Sequence, residues 1–300
     1  VTHIRRRFTG AHTLQVESRA DSDASWKPVG HLVALGYESP YTPGWELRHA
    51  IGYGGRPRTP VLPFQPLSVR HFYDSEQAIL EAAYTHMKRL APPVMSAWEG
   101  FLANAREVLP VLPAGRSDEL QVAYRFNNPL AVVPTESPLS IPAGARGLEY
   151  EPRLGFVIGR ELRDATPEEA RAAIAAFVLI CEFNGNDGSE PRTGAVPGLA
   201  TPPSSIAAVA VSANVLLDTW PQLTGTLTIN GSVVAETSAV SARTDLGELL
   251  AAASVSQRLL PGELFSIEAL APATPSEPLV PGDHMVVYVP GLGRIEHAVS

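Results

Sequence analysis

The segment EYEPRLGFVIG, residues 149–159, decides how this chain is read. Tyr150, Leu154, Phe156 and Ile158 alternate through it with the period of a half-buried strand, and Gly159 closes it. The opposite face begins with Glu149 and Glu151 and then carries Arg153. Carboxylates at this spacing suit a hard cation, which oxygen ligands hold. An arginine at the next position on that face repels such an ion and favours carboxylates instead.

Outward from this strand, the chain alternates between strand and helix signals. DATPEEARAAIAAFVLICEF (164–183) reads as a helix running into a strand. Thr166 is the N-cap, Pro167 takes the first helical position and Glu169 completes a capping box. Glu182 follows an apolar run, so its carboxylate must be paired or functional. TGTLTINGSVVAETSA (224–239) is a hairpin around Asn230-Gly231. TDLGELLAAASVSQRLL (244–260) reads as a helix stopped by Pro261-Gly262, and HMVVYVPGLGRIEHAV (284–299) as closing strands. Upstream, SEQAILEAAYTHMKRLA (75–91) has helical spacing, and PVLPFQPLSV (60–69) is a proline-rich connector. Residues 1–65 are short strand-like pieces broken by turns. The expected fold class is α+β, mostly β, with a small N-terminal domain (1–65) and a larger C-terminal domain (66–300).

Composition narrows the function. The chain has 300 residues, 45% of them hydrophobic, and a net charge of −8. A large core fits within those bounds, while a general nucleic-acid or anionic-membrane surface does not. No apolar run reaches the ~18 residues of a transmembrane helix, and the basic start VTHIRRRFTG lacks a signal peptide's apolar stretch. The expectation is a cytoplasmic protein, with the high-GC composition of a bacterial source. One cysteine, Cys181, excludes an intramolecular disulfide; its apolar and acidic neighbours mark it as an inert core thiol. Phosphate-loop, dinucleotide, zinc-protease and serine-hydrolase motifs are absent.

Several segments together resemble the fumarylacetoacetate hydrolase superfamily. LEYEPRLGFVIGR (148–160) is similar to its DYELELAVVIG strand, and AAIAAFVLICEFNGND (172–187) to its GYTIFNDWSARD segment. LPFQPLSVRHFYDSEQAI (62–79) is similar to the entry of its catalytic domain. INGSVVAETS, LLPGELFS, LVPGDHMVV and GLGRIEHAV follow its C-terminal half in order. The resemblance implies a mixed β-roll, a homodimer and a small-molecule substrate. In that family Mg²⁺ or Ca²⁺ sits on carboxylates and chelates a 1,3-dicarbonyl or oxo-acid substrate, a His activates water, and a Lys, an Arg and a Gln bind substrate.

Carried over position by position, most of that motif is replaced. The family's Glu-x-Glu pair falls on Glu151 and Arg153, its Asp of RDF on His71, and its later Asp on Glu182. The family His falls on Ala78, its Arg and Gln on Asn186 and Ser189, and its Lys near Pro197. A register shifted by two would instead make Glu149 and Glu151 the pair, with Glu182 as third ligand. The expectation is therefore no metal cofactor, with Mg²⁺ or Ca²⁺ on Glu149, Glu151 and Glu182 as the alternative. Arg153 takes the cation's place, either paired internally with Glu151 and Glu182 or presented to a substrate oxyanion. His71, Glu151, Arg153 and Glu182 are the candidate catalytic residues; Tyr73, Asn184 and Asn186 are the candidate substrate contacts. The expected activity is metal-independent lyase, isomerase or cyclase chemistry on an enolisable carbonyl compound (1,3-dicarbonyl or oxo-acid-like), with bacterial secondary metabolism as the expected setting. Two alternatives stand beside it: a non-catalytic binding protein or partner subunit, and a metal-dependent C–C hydrolase or decarboxylase with displaced ligands.

Overall fold

A computed structural model describes residues 3–10, 13–20, 23, 25–29, 61–72, 93, 124–186, 204–239, 245–268, 270 and 277–300. The helix expected over 75–91, together with Tyr73, Ala78, Ser189 and Pro197, lies outside the described residues.

The opening segment lies in β7 (Gly147–Ile158), which pairs antiparallel along its length with β8 (Ile174–Asn186). On one side β7 meets β13 (Leu264–Ile267), then β4 (Val69–Phe72) and β5 (Tyr124–Asn127). On the other side β8 meets β10 (Val209–Ser212), followed by β1 (His3–Gly10), β2 (Thr13–Arg19) and β3 (Lys27–Pro28). β9 (Ser205–Ile206) pairs with β8 and with β6 (Val133–Pro134). β13 runs parallel to β4, so the sheet is mixed. A second sheet holds β11 (Thr224–Ile229), β12 (Ser232–Ser238), β14 (His284–Val289) and β15 (Gly293–Ala298), in the order β12–β11–β14–β15. The described residues are thus mostly β with few helices, as the alternation of the sequence predicts.

Period-two alternation divides β7 between two environments. Leu154, Phe156 and Ile158 face a core shared with Leu179 of β8 and with Met285, Val287 and Ile295 of the second sheet. Phe72, Phe265 and Phe156 stack in line with ring centroids 5.8 Å apart, and Phe177 adjoins Phe156 at 6.4 Å. This row takes one ring from each of β4, β13, β7 and β8, and so locks four strands together. On the other face Val157, Val178, Ile180, Val69 and Leu264 pack with Leu62 and Phe64. The proline-rich connector is therefore part of the core: its prolines need no ladder partner, while Leu62 and Phe64 cover the sheet. The leading strands extend the same sheet, because β1 pairs with β10 and Arg6 Nε donates to the Leu62 carbonyl at 2.7 Å.

The local signals hold where sequence chemistry is self-sufficient. α1 (Pro167–Ala173) has the reciprocal Thr166–Glu169 capping box, and Asn230 and Gly231 turn the hairpin with positive φ. α3 (Leu246–Ala253), which follows the short α2 (Ala213–Leu216), is shorter than its helical pattern predicts. Ser254 Oγ donates to the Ala251 carbonyl at 2.7 Å, and Ser256 turns to positive φ, its N–H held by Asp164. Leu259 then pairs with Leu162 as an isolated bridge, so tertiary pairing ends the helix. α1 and α3 pack at close range over Gly247, where a Cβ would stand 2.4 Å from the Pro167 carbonyl oxygen.

Candidate functional site

The polar side chains collect on the face that Val157 and Ile180 make apolar further along the strands. Antiparallel register sets Glu151 opposite Glu182, Arg153 opposite Ile180 and Gly155 opposite Ser266. Parallel register sets Ser266 beside His71, and His71 lies opposite Arg125. Residues far apart in sequence thus come to one row across β5, β4, β13, β7 and β8. A Cβ on Gly155 would lie 2.5 Å from Ile180 Cδ1 and 2.8 Å from Val178 Cγ2, so that position is kept bare.

Arg153 is the centre of the row and is 1% exposed. Its Nη1 contacts Glu151, and lies 3.3 Å from Glu268 Oε1 and 3.5 Å from Glu182 Oε2. Its Nη2 donates to the Phe72 carbonyl at 2.7 Å, and its Nε donates to Ser266 Oγ at 3.0 Å. Burial disfavours the charge on this guanidinium, but Glu151, Glu182 and Glu268 outweigh that penalty and keep it protonated. Glu182 is buried as well and accepts a second arginine, Arg125 Nη2, at 2.5 Å. Burial would raise its carboxyl; the surrounding positive groups win and hold it well below the usual carboxylate range.

His71 is buried to 1% exposure. Its Nε2 lies 2.9 Å from Glu182 Oε1, an ion-pair distance off the line of a good hydrogen bond. Its Nδ1 lies 2.5 Å from Ser266 Oγ. Burial, reinforced by Arg125 and Arg153, lowers its pKa to about 4 against the pull of Glu182. His71 is therefore a neutral imidazole at pH 7, and Arg125 and Arg153 are the full charges that keep Glu182 ionised. Glu151 has the opposite shift: burial and the charge of Glu182 raise its carboxyl despite Arg153. Its side chain remains 31% exposed, and that of Glu268 25%, so these two carboxylates form the solvent side of the cluster.

The structure brings together all four candidate catalytic residues, His71, Glu151, Arg153 and Glu182. Asn184 is half-buried two residues beyond Glu182 on the same face, opposite Glu149. Asn186 ends β8, with its side chain outside the described residues. Sequence reasoning missed Arg125, Ser266 and Glu268. Ser266 and Glu268 had a signal: LFSIE places a hydroxyl among apolar neighbours and an acid two residues later on the same face. Arg125 had none, because nothing in YRFN says which strand lies beside it. Cys181 faces the opposite core; burial raises its thiol pKa well above the ordinary value, as expected for an inert thiol.

A divalent cation does not fit these residues. Glu151, Glu182 and Glu268 already converge on one guanidinium nitrogen, and Glu182 carries a second arginine. An ion drawn to the same oxygens would meet two fixed positive charges. Among the described residues no three His, Cys, Asp or Glu side chains are placed to share a metal. No helix among them is long and apolar enough to cross a membrane.

Comparison with known proteins agrees with this fold. Residues 94–300 match the sequence model of the family described as Fumarylacetoacetate (FAA) hydrolase C-terminal. The match spans more than half of the chain, and the chain belongs to that family. No curated protein sequence matches it significantly. Solved structures are similar over nearly the whole chain at low identity. Fumarylacetoacetate hydrolase from psychrophilic Exiguobacterium antarcticum has a TM-score of 0.63 at 15% identity, covering 100% of this chain and 99% of that one. The 5-carboxymethyl-2-hydroxymuconate delta-isomerase of Mycobacterium smegmatis gives 0.62 at 15%, covering 99% and 98%. The 2-hydroxyhepta-2,4-diene-1,7-dioate isomerase of Mycobacterium marinum gives 0.57 at 14%, covering 100% and 98%.

Proposed function

We propose that this chain is a metal-independent enzyme of enolisable carbonyl compounds, acting as an isomerase, lyase or cyclase. The observation that carries the reading is the buried Arg153 guanidinium, held within 3.5 Å of Glu182 and sharing Ser266 with a neutral His71. Enolisation needs a group that moves a proton from carbon and a positive charge where the enolate oxygen forms. Here Glu182 and His71 are the proton-transfer pair, and Arg153 is the built-in cation. A fixed guanidinium costs no reorganisation as the oxyanion develops.

The solvent side of the cluster suggests how substrate engages it. A substrate carboxylate or enolate oxygen competes with Glu151 and Glu268 for Arg153 Nη1. These are the two carboxylates of the cluster that reach solvent, and the carboxyl of Glu151 is raised by burial and by Glu182. Two of the structurally similar proteins are named as a 5-carboxymethyl-2-hydroxymuconate delta-isomerase and a 2-hydroxyhepta-2,4-diene-1,7-dioate isomerase, whose named compounds carry an enol and three and two carboxylates respectively. A compound of that class would meet both Arg153 and Arg125.

Chelator-treated protein should catalyse exchange of α-protons in 2-oxo acids or 1,3-diketones in D₂O, followed by ¹H NMR, and Arg153→Met should abolish it. Exchange seen only after Mg²⁺ or Ca²⁺ is added would overturn the metal-free reading.

One observation favours a second reading. Each Arg153 nitrogen already has a protein partner, and His71 and Ser266 are 1% and 0% exposed. On that reading the cluster is a structural knot in a binding protein or partner subunit. No exchange with any member of the panel, with or without metal, would select it.

A further inference from the structure

Ser266 is shared by Arg153 and His71 but is given no chemical role in the reading above, yet it joins the two halves of the cluster. We propose that Ser266 is a positioning residue: it fixes His71 in the tautomer that carries its proton on Nε2, toward Glu182.

The direction of each hydrogen bond follows from which atoms can donate. Arg153 Nε–H can only donate, so Ser266 Oγ accepts from it at 3.0 Å. The hydroxyl proton of Ser266 is then free to point at His71 Nδ1, 2.5 Å away, which must accept it. A neutral imidazole accepting at Nδ1 carries its proton on Nε2, which lies 2.9 Å from the ionised Glu182. The opposite tautomer would set the Nε2 lone pair against a carboxylate at that distance. It would also leave the buried Ser266 hydroxyl without an acceptor among the described residues. The chain Arg153→Ser266→His71 therefore has one consistent direction, set by the permanent charge of Arg153, and it leaves the Nε2 proton beside the Glu182 carboxylate.

Among the described residues, the groups that face His71 from its neighbouring strands are Glu182 on β8, Arg125 on β5, Arg153 on β7 and Ser266 on β13. Two arginines oppose a second proton on the ring, and Ser266 occupies the lone pair that would receive it. Ser266 thus keeps the only mobile ring proton on the Glu182 side, the polarity that the proton-transfer pair requires; this part of the inference rests on the proposed function. The register supports the role. Gly155 stands opposite Ser266, and the space a side chain there would take is filled by Ile180 and Val178, which pack against the row at that point.

The test is ¹H–¹⁵N NMR of histidine-labelled full-length protein, with His71→Gln assigning one resonance set among eight histidines. In wild type His71 should show a single neutral tautomer, protonated at Nε2, from pH 8 to about pH 5. Ser266→Ala should mix the tautomers and raise the His71 midpoint by about one pH unit, because the neutral form loses its partner. Ser266→Thr, which keeps the hydroxyl, should restore both. A wild-type His71 protonated at Nδ1 or charged at pH 7 overturns the proposal, and that measurement needs no variant to fold. Nitrogen shifts unchanged in a folded Ser266→Ala protein overturn it too. The tautomer is read without substrate, so failure of the exchange assay and failure of this inference are separate results.

Discussion

Replacing Arg153 by methionine tests the idea that a guanidinium occupies the place of a cation. The substitution keeps much of the side chain's length and apolar stem but removes the charge and all five donors. Three carboxylates are left facing one another, and the Phe72 carbonyl and Ser266 hydroxyl each lose a donor. Removing one partner from a buried ion pair costs about 3–5 kcal/mol. For 300 residues the entropy scale of unfolding makes this a fall in Tm of about 5–8 °C. The loss should depend on pH. Without Arg153 the folded-state pKa of Glu151, already raised by burial and by Glu182, rises further above its unfolded value. Stability is then fullest below the unfolded value, near the ordinary carboxylate value of 4.5, and falls as pH rises through the folded one. Thermal melts at pH 5 and pH 8 should therefore show the larger deficit at pH 8. Combining Arg153→Met with Glu182→Gln removes charge from both sides, so the double variant should lose less than the sum of its parts. A variant that melts within 1 °C of wild type at both pH values would refute the reasoning, because it would show that the charges are solvated and do not hold one another.

Further outcomes follow from individual groups. His71 has a folded pKa of about 4 against 6.5 unfolded, so the unfolded chain binds protons first and stability drops as pH falls from 6.5 toward 4. The drop is at most about 3 kcal/mol, and His71→Gln should flatten that part of the stability–pH curve. Gly155→Ala forces a methyl against Ile180 and Val178 in the middle of the sheet and should cost about 1–3 kcal/mol in urea unfolding. Thr166→Ala removes the cap of α1 and should cost about 1 kcal/mol, with no change in His71 nitrogen shifts. Millimolar Mg²⁺ or Ca²⁺ should leave the Tm of chelator-treated wild type unmoved; a clear rise would mean that a divalent ion displaces Arg153.

Much of the fold was legible because its signals are local. The capping box at Thr166, the Asn230-Gly231 turn and the alternation of residues 149–159 each lie within a few residues of chain, where short-range sterics and hydrogen bonding decide. The family resemblance extended that reading to a mixed β-roll. The length of α3 was not legible: its pattern continues past Ala253, and the Leu162–Leu259 bridge that ends it joins residues 97 apart.

The candidate site divides along the same line. The sequence by itself determined that Glu151 and Arg153 share a face and that a carboxylate at Glu182, behind a run of apolar residues, had to be answered by a partner. The resemblance placed Arg153 where the family has an acid, or Glu151 in the register shifted by two. Only the tertiary structure decided what answers what. Strand register set Glu151 opposite Glu182 and Ser266 beside His71, and side-chain geometry brought Glu268 to the guanidinium and Arg125 to Glu182. Charges and hydroxyls are chosen residue by residue, but their partners are fixed by which strands lie side by side, and that is a property of the whole sheet.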